Sequence, residues 1–185
     1  MQLKIKNFGP IKEGYINPQT DDFFDVHRCS VFIGEQGTGK STIAKLISTL
    51  LWLEKDIIQK RREFSQFKTE DFIKLCKNQK IDGYFNPESY ICYKSYIFDF
   101  EYKDSQFLIT KKNDLSKYNG KKIMYIPSER NLISVLEDVD EISGLPYTLQ
   151  STYEEFIKAS KKIGEKKKKL PLNGFEYSYN KSINT

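Results

Sequence analysis

The chain has 185 residues, 38% of them apolar and 14% aromatic, with a formal net charge of +5; it can bury a sizeable core and is not a disordered tail. Its three cysteines, Cys29, Cys76 and Cys92, are odd in number and share no close spacing, and His27 is the single histidine. These counts argue against a disulfide framework, a zinc site and multi-histidine metal chemistry, and they fit a reducing cytoplasm. No charged leader with an apolar core opens the sequence and no apolar run approaches the ~20 residues that span a bilayer, so a soluble protein with no membrane partner is expected.

In chain order, Gln2 to Phe8 alternates apolar and polar residues and breaks at Gly9-Pro10, a strand followed by a turn. A weaker second strand is expected around Glu13 to Ile16, ending at Asn17-Pro18, before a polar loop through Asp21 and Asp22 returns toward Val26. Cys29-Ser30-Val31-Phe32-Ile33 is a short apolar run suited to a buried strand. It runs directly into Gly34-Glu35-Gln36-Gly37-Thr38-Gly39-Lys40-Ser41, and then Ile43, Ala44, Leu46, Ile47, Leu50 and Leu51 fall on one helical face. Strand, glycine loop and helix together predict an α/β fold.

The loop fits the pattern G-x-x-x-x-G-K-[ST] at every fixed position. Glycines let the backbone turn so that successive N–H groups face a phosphate, and the start of the helix adds the positive end of its dipole. Lys40 is expected to place its ammonium between the β- and γ-phosphates of ATP, and Ser41 to give its hydroxyl to Mg²⁺. Thr42 is a candidate for the α-phosphate. The plain alternative is a glycine turn that caps a helix and holds no ligand. No Asn-Lys-x-Asp motif occurs, so GTP is not the expected nucleotide, and Phe8 and Tyr15 are candidates either for stacking on the base or for the core.

Beyond this helix the polar stretch Glu54 to Arg62 continues or follows it. Thr69-Glu70-Asp71 reads as the capped start of a helix carrying Phe72, Ile73 and Cys76. From Tyr90 to Tyr102 the period changes to two, with Cys92, Tyr96, Phe98, Phe100 and Tyr102 expected on one face. Lys103-Asp104-Ser105 then turns into Gln106 to Lys111 as a β-hairpin. The aromatic stripe is either the packed face of a sheet or a base-stacking platform. Lys121 to Pro127 is another buried-strand candidate, and a helix with Leu132, Ile133, Val135 and Leu136 follows Ser128-Glu129-Arg130-Asn131. After Gly144 and Pro146 comes a helix-like segment from Thr152 to Ile163, then Lys161, Lys162, Lys166, Lys167, Lys168 and Lys169 crowd together. Such a run is either a solvated helix end or a contact to DNA phosphates. A last strand around Phe175, Tyr177 and Tyr179 shows no partner in the sequence.

Three segments resemble the N-terminal half of ABC-type ATPases, in the SMC, RecF and OLD-like branch that includes AAA-labelled bacterial ATPases of DNA repair and phage defence. They are Leu3 to Ile11, the loop Ile33 to Thr42, and Tyr125-Ile126-Pro127-Ser128-Glu129-Arg130-Asn131. The resemblance implies an antiparallel β subdomain with helices around a central sheet, and one lobe over 1–185. Its parts would be strands, loop and first helix in 1–53, a helical insertion in 54–88, a hairpin and core strand in 89–130, and a helical, lysine-rich end in 131–185. It further implies ATP and Mg²⁺ as cofactors, and hydrolysis once a C-terminal lobe and a second copy, joined through ATP, complete the site. A nuclease partner is a further implication.

The chain departs from that family at several points. Ser128 or Glu129 stands where a glutamine that senses Mg²⁺ and water is expected, which makes Glu129 the candidate catalytic residue. Tyr96-Ile97-Phe98-Asp99 approximates the strand that ends in Asp-Glu, yet Phe100 follows in place of the carboxylate. Ile142-Ser143-Gly144 is too short for the serine-glycine signature, and no switch histidine is found. The chain therefore reads as an N-terminal lobe, with a nucleotide-sensing module that docks to a nuclease or repair partner and does not hydrolyse as the alternative.

Overall fold

The computed structural model describes residues 1–61, 63–113, 123–129 and 145–163, together with the short strand pair formed by residues 168–169 and 176–177. The chain divides into two compact units, Met1–Tyr125 and Ile126–Thr185.

The first unit is an antiparallel sheet with two helices on one face. Its strands are β1 (Gln2–Lys6), β2 (Phe24–Asp25), β3 (Tyr90–Lys94), β4 (Phe98–Lys103) and β5 (Gln106–Lys111), in the order β2-β1-β3-β4-β5. Register pairs Leu3 with Tyr93, Ile5 with Ile91, Tyr93 with Phe100, Ile91 with Tyr102 and Tyr102 with Phe107. All of these side chains therefore stand on one face, and all are buried. Against them lie α1 (Lys40–Ile58), through Leu46, Leu50, Leu53 and Ile57, and α2 (Thr69–Asn78), through Phe72, Leu75 and Cys76. Each such side chain contributes about 1.5–3 kcal/mol over leaving it in water, which makes this face the chief source of stability in the unit. Phe72 stacks on Phe107 with ring centroids 4.0 Å apart and fixes α2 over the far strands. The aromatic stripe is thus the packed face of a sheet.

The opposite face is polar, with Lys4–Asp21, Lys6–Asp22 and Lys112–Asp99 ion pairs and Tyr90 donating to Glu101. Cys92 lies on this side opposite Glu101, not with Phe98. The expected long strand breaks at Ser95, whose Oγ accepts from the amides of Ile97 and Phe98. That side chain closes a turn and makes a three-stranded meander of the expected hairpin, with Tyr96 exposed at its tip.

Other elements also differ from the sequence reading. Glu13 to Ile16 forms no strand; Gly14 has φ +74°, and a Cβ there would lie 2.0 Å from the Ile5 carbonyl oxygen. Cys29 to Ile33 forms none either, and Val31 and Ile33 are 77% and 92% exposed, because no strand among the described residues pairs with them. Residues 123–127 form no strand either, with Met124 and Ile126 exposed. The helix expected to open at Thr69-Glu70-Asp71 does start at Thr69 and is capped through Asp71, whose Oδ2 accepts from the Lys68 amide, while Thr69 Oγ1 accepts from the Phe107 amide on the edge strand β5.

Both helices of this unit end in the same way. Lys60 and Lys80 take left-handed φ values of +54°, with Arg61 N–H donating to Asp56 O and Ile81 N–H to Cys76 O. These are Schellman ends with lysine where glycine is favoured. Lys80→Gly is expected to stabilise the fold by about 1 kcal/mol in urea unfolding, since a Cβ is disfavoured at this φ.

In the second unit α3 spans Tyr147–Ile163, five residues earlier than the reading at Thr152, with Leu149, Thr152 and Tyr153 buried. The terminal strand does have a partner: β6 (Lys168–Lys169) pairs antiparallel with β7 (Glu176–Tyr177). The helix around Leu132 to Leu136 lies outside the described residues, as do Lys166 and Lys167. Among the described residues no helix is long and apolar enough to cross a membrane.

Candidate phosphate-binding site

The glycine loop is held between two anchors. Upstream, Val26 N–H donates to Met1 O and the Phe32 ring meets Phe24 edge-on at 5.9 Å. Downstream, α1 starts at Lys40 with Gly39 as its N-cap, and Ile43 N–H closes the first helical bond on Gly39 O at 2.9 Å. Gly37 and Gly39 have φ of +82° and +96°, values that side-chain-bearing residues rarely adopt. A Cβ on Gly37 would meet open space, so that glycine is required by backbone conformation alone.

The loop is stitched from within. Thr38 Oγ1 donates to Glu35 O at 2.8 Å, and Lys40 Nζ folds back to donate to Gly34 O at 2.8 Å and to Glu35 O. Lys40 thus lies along the loop, its ammonium satisfied by exposed carbonyls rather than by a carboxylate. No acidic residue occupies the first turn of α1, which leaves the positive end of that helix unneutralised locally. Gly34 to Thr38 and Ser41 are open to solvent, whereas Gly39 and Thr42 are buried. The structure therefore brings Gly34, Glu35, Gln36, Gly37, Thr38, Gly39, Lys40 and Ser41 together around one helix start.

Other candidates stand differently. Phe8 is fully buried, edge-on to Tyr84 and Phe85, so it belongs to the core and is no stacking platform. Tyr15 is 47% exposed and meets Phe24 edge-on. Tyr125 places its ring 5.8 Å from Lys45 Nζ, one helical turn beyond Ser41. Glu129 is an exposed residue of the second unit, and Arg130 falls outside the described residues. Asp99 pairs with Lys112 at 2.8 Å on an antiparallel strand, which is not the setting of a metal-holding carboxylate.

Sequence reasoning missed Pro10 and Ile11. An ideal Cβ on Gly39 would sit 2.7 Å from Ile11 Cγ1 and 3.4 Å from Pro10 Cγ, so the turn after β1 packs directly on the last glycine of the loop. The Gly9-Pro10 break was visible, but nothing in local spacing tied it to residue 39.

Fold and site define an α/β protein whose first long helix opens from a glycine loop closed by a lysine. Residues 1–185 match the AAA ATPase domain family, and the chain belongs to it, in keeping with its likeness to AAA-labelled ABC- and SMC-like ATPases. No curated protein and no solved structure matches the chain.

Proposed function

We propose that the chain binds ATP with Mg²⁺ in the loop Gly34–Ser41, as one lobe of a P-loop ATPase. The observation that carries this reading is Lys40 Nζ held by Gly34 O and Glu35 O along a glycine loop, at a helix start that no side chain caps. Phosphate oxygens are stronger acceptors than these neutral carbonyls, so a triphosphate would draw the ammonium from the loop. Ser41, exposed in the first turn of α1, suits the ligand shell of Mg²⁺, a hard cation that takes oxygen donors. When bound, the ion would offset charge on the phosphate oxygens.

Hydrolysis, in this reading, needs a C-terminal lobe and a second copy joined through ATP. The run Cys29–Ile33 supports it: Val31 and Ile33 leave apolar side chains exposed next to the loop, where a neighbouring strand would cover them. Glu129 is the proposed sensing residue, and Glu129→Gln should lower turnover in the completed enzyme without changing affinity. The setting is bacterial DNA repair or phage defence, with a nuclease as partner and with Lys161, Lys162, Lys166, Lys167, Lys168 and Lys169 meeting DNA phosphates. A second reading, a nucleotide-sensing module without hydrolysis, is favoured by the Asp99–Lys112 pair, which leaves the strand most like a catalytic one without a free carboxylate.

Calorimetric titration with Mg–ATP, Mg–ADP and AMP tests the binding proposal. AMP should bind at least ~100-fold more weakly than ATP, because the cradle addresses the β- and γ-phosphates through charge-assisted bonds worth about 1.5–3 kcal/mol each. Equal affinities would remove the loop from the account.

A further inference from the structure

We infer that Ile11, far upstream of the glycine loop, is a positioning residue for it. The inference rests on the nucleotide reading above for its purpose, but on packing for its geometry. Three observations converge on the turn that carries Ile11. Phe8 and Ile11 exchange backbone hydrogen bonds, Phe8 N–H to Ile11 O at 2.9 Å and Ile11 N–H to Phe8 O at 3.1 Å, while Asn7 N–H donates to Lys12 O at 2.7 Å. Gly9 N–H donates to Tyr84 O at 3.0 Å, and a Cβ on Gly9 would lie 2.5 Å from the Tyr84 ring. Phe8 is fully buried and Ile11 is 7% exposed. This turn is therefore closed by its own backbone bonds and held to the core through Gly9 and the buried Phe8.

Its Ile11 side chain meets the loop. Ile11 Cγ1 occupies the space where a side chain on Gly39 would begin, at 2.7 Å from the ideal Cβ. Gly39 has a φ of +96°, open to glycine but rarely to a residue with a side chain, and accepts the first helical bond from Ile43. Its orientation sets where α1 begins and hence where the Lys40 and Ser41 amides point. With Ile11 in place, Gly39 cannot rotate toward the turn. Without that side chain a void opens beside the most constrained backbone of the loop, and the helix start is free to shift into it. A shift of a few tenths of an ångström there would move the donors away from any bound phosphate.

Ile11→Ala, Ile11→Val and the control Ile91→Ala, a core residue of β3 that is 1% exposed, test this together. Amide hydrogen exchange over residues 39–43 is read in the ligand-free protein, and Mg–ATP affinity by titration. Ile11→Ala should speed exchange in the first turn of α1 by roughly tenfold beyond what global destabilisation explains, and weaken Mg–ATP about tenfold. Ile11→Val should restore both to near wild type, and Ile91→Ala should change neither once its stability loss is allowed for. Equal exchange at residues 39–43 in Ile11→Ala and Ile91→Ala overturns the inference. Should Ile11→Ala fail to fold, Ile11→Ala and Ile91→Ala are both remade in the stabilised Lys80→Gly background, where equal exchange at residues 39–43 again overturns the inference. If wild type binds no Mg–ATP, the nucleotide reading fails, and the exchange comparison still decides whether Ile11 positions the loop.

Discussion

Lys40→Ala is expected to weaken Mg–ATP binding by about 100-fold or more, with the protein remaining folded. An ammonium held against phosphate oxygens makes charge-assisted hydrogen bonds of about 1.5–3 kcal/mol each, and about 1.4 kcal/mol is a factor of ten in affinity. In the ligand-free protein the same ammonium donates, among the described residues, to Gly34 O and Glu35 O on an exposed loop. Its removal there should move stability by no more than about 0.5 kcal/mol. The gap between the two effects is diagnostic, because a lysine that merely stitched the loop would show neither a large binding loss nor selectivity for triphosphates. Arginine should not rescue the site, since its broad planar fork does not replace a compact point charge. Paired titrations and thermal scans of the two proteins check this.

Glu54→Ala is expected to destabilise the first unit by about 3 kcal/mol. Glu54 lies on α1 at 7% exposure, and its carboxylate accepts from Tyr93 Oη at 2.7 Å and from Ser95 Oγ. Tyr93 is itself 1% exposed in the core face of β3, so no water stands ready to take its hydroxyl proton. Truncation would strand that donor, at about 1–3 kcal/mol, and would leave a void between helix and sheet. Removing both partners should hurt less than removing one. Glu54→Leu combined with Tyr93→Phe is expected to recover most of the loss, whereas Glu54→Leu alone is not. Urea unfolding of these variants and of Tyr93→Phe alone measures the difference, and additive losses would show that the pair is not coupled.

Legibility from sequence followed the range of the physics involved. The glycine loop was readable because its chemistry is contiguous, and the apolar stripe of α1 because helical period is local. The strands β4 and β5 were readable for the same reason, with Asp104 and Ser105, φ +49° and +60°, making the two-residue turn between them. Cys29 to Ile33 has the composition of a buried strand, but burial depends on a neighbour, and composition does not say whether one is there. Ser95 hid a turn because Tyr96 and Ile97 preserved the alternation across it. The partner of Glu176–Tyr177 proved to be Lys168–Lys169, a pair of lysines that local propensity would not place in a strand. Glu54 and Ile11 went unnoticed for the same reason as each other: one is a carboxylate among helix polar residues and the other a common apolar residue. Their roles exist only through Tyr93 and Gly39, far away along the chain.

The central claim is that main-chain amides at the start of α1 receive the phosphates, and the most direct measurement follows those amides. With the protein labelled in nitrogen-15, Mg–ATP is added while the resonances of Gly37, Gly39, Lys40 and Ser41 are recorded alongside those of β5 at the far edge of the sheet. The account predicts large, saturable shifts at the four loop amides, little change in β5, and no such shifts on adding AMP. Loop resonances that stay in place while Mg–ATP binds elsewhere, or that ignore it at millimolar concentration, would contradict it.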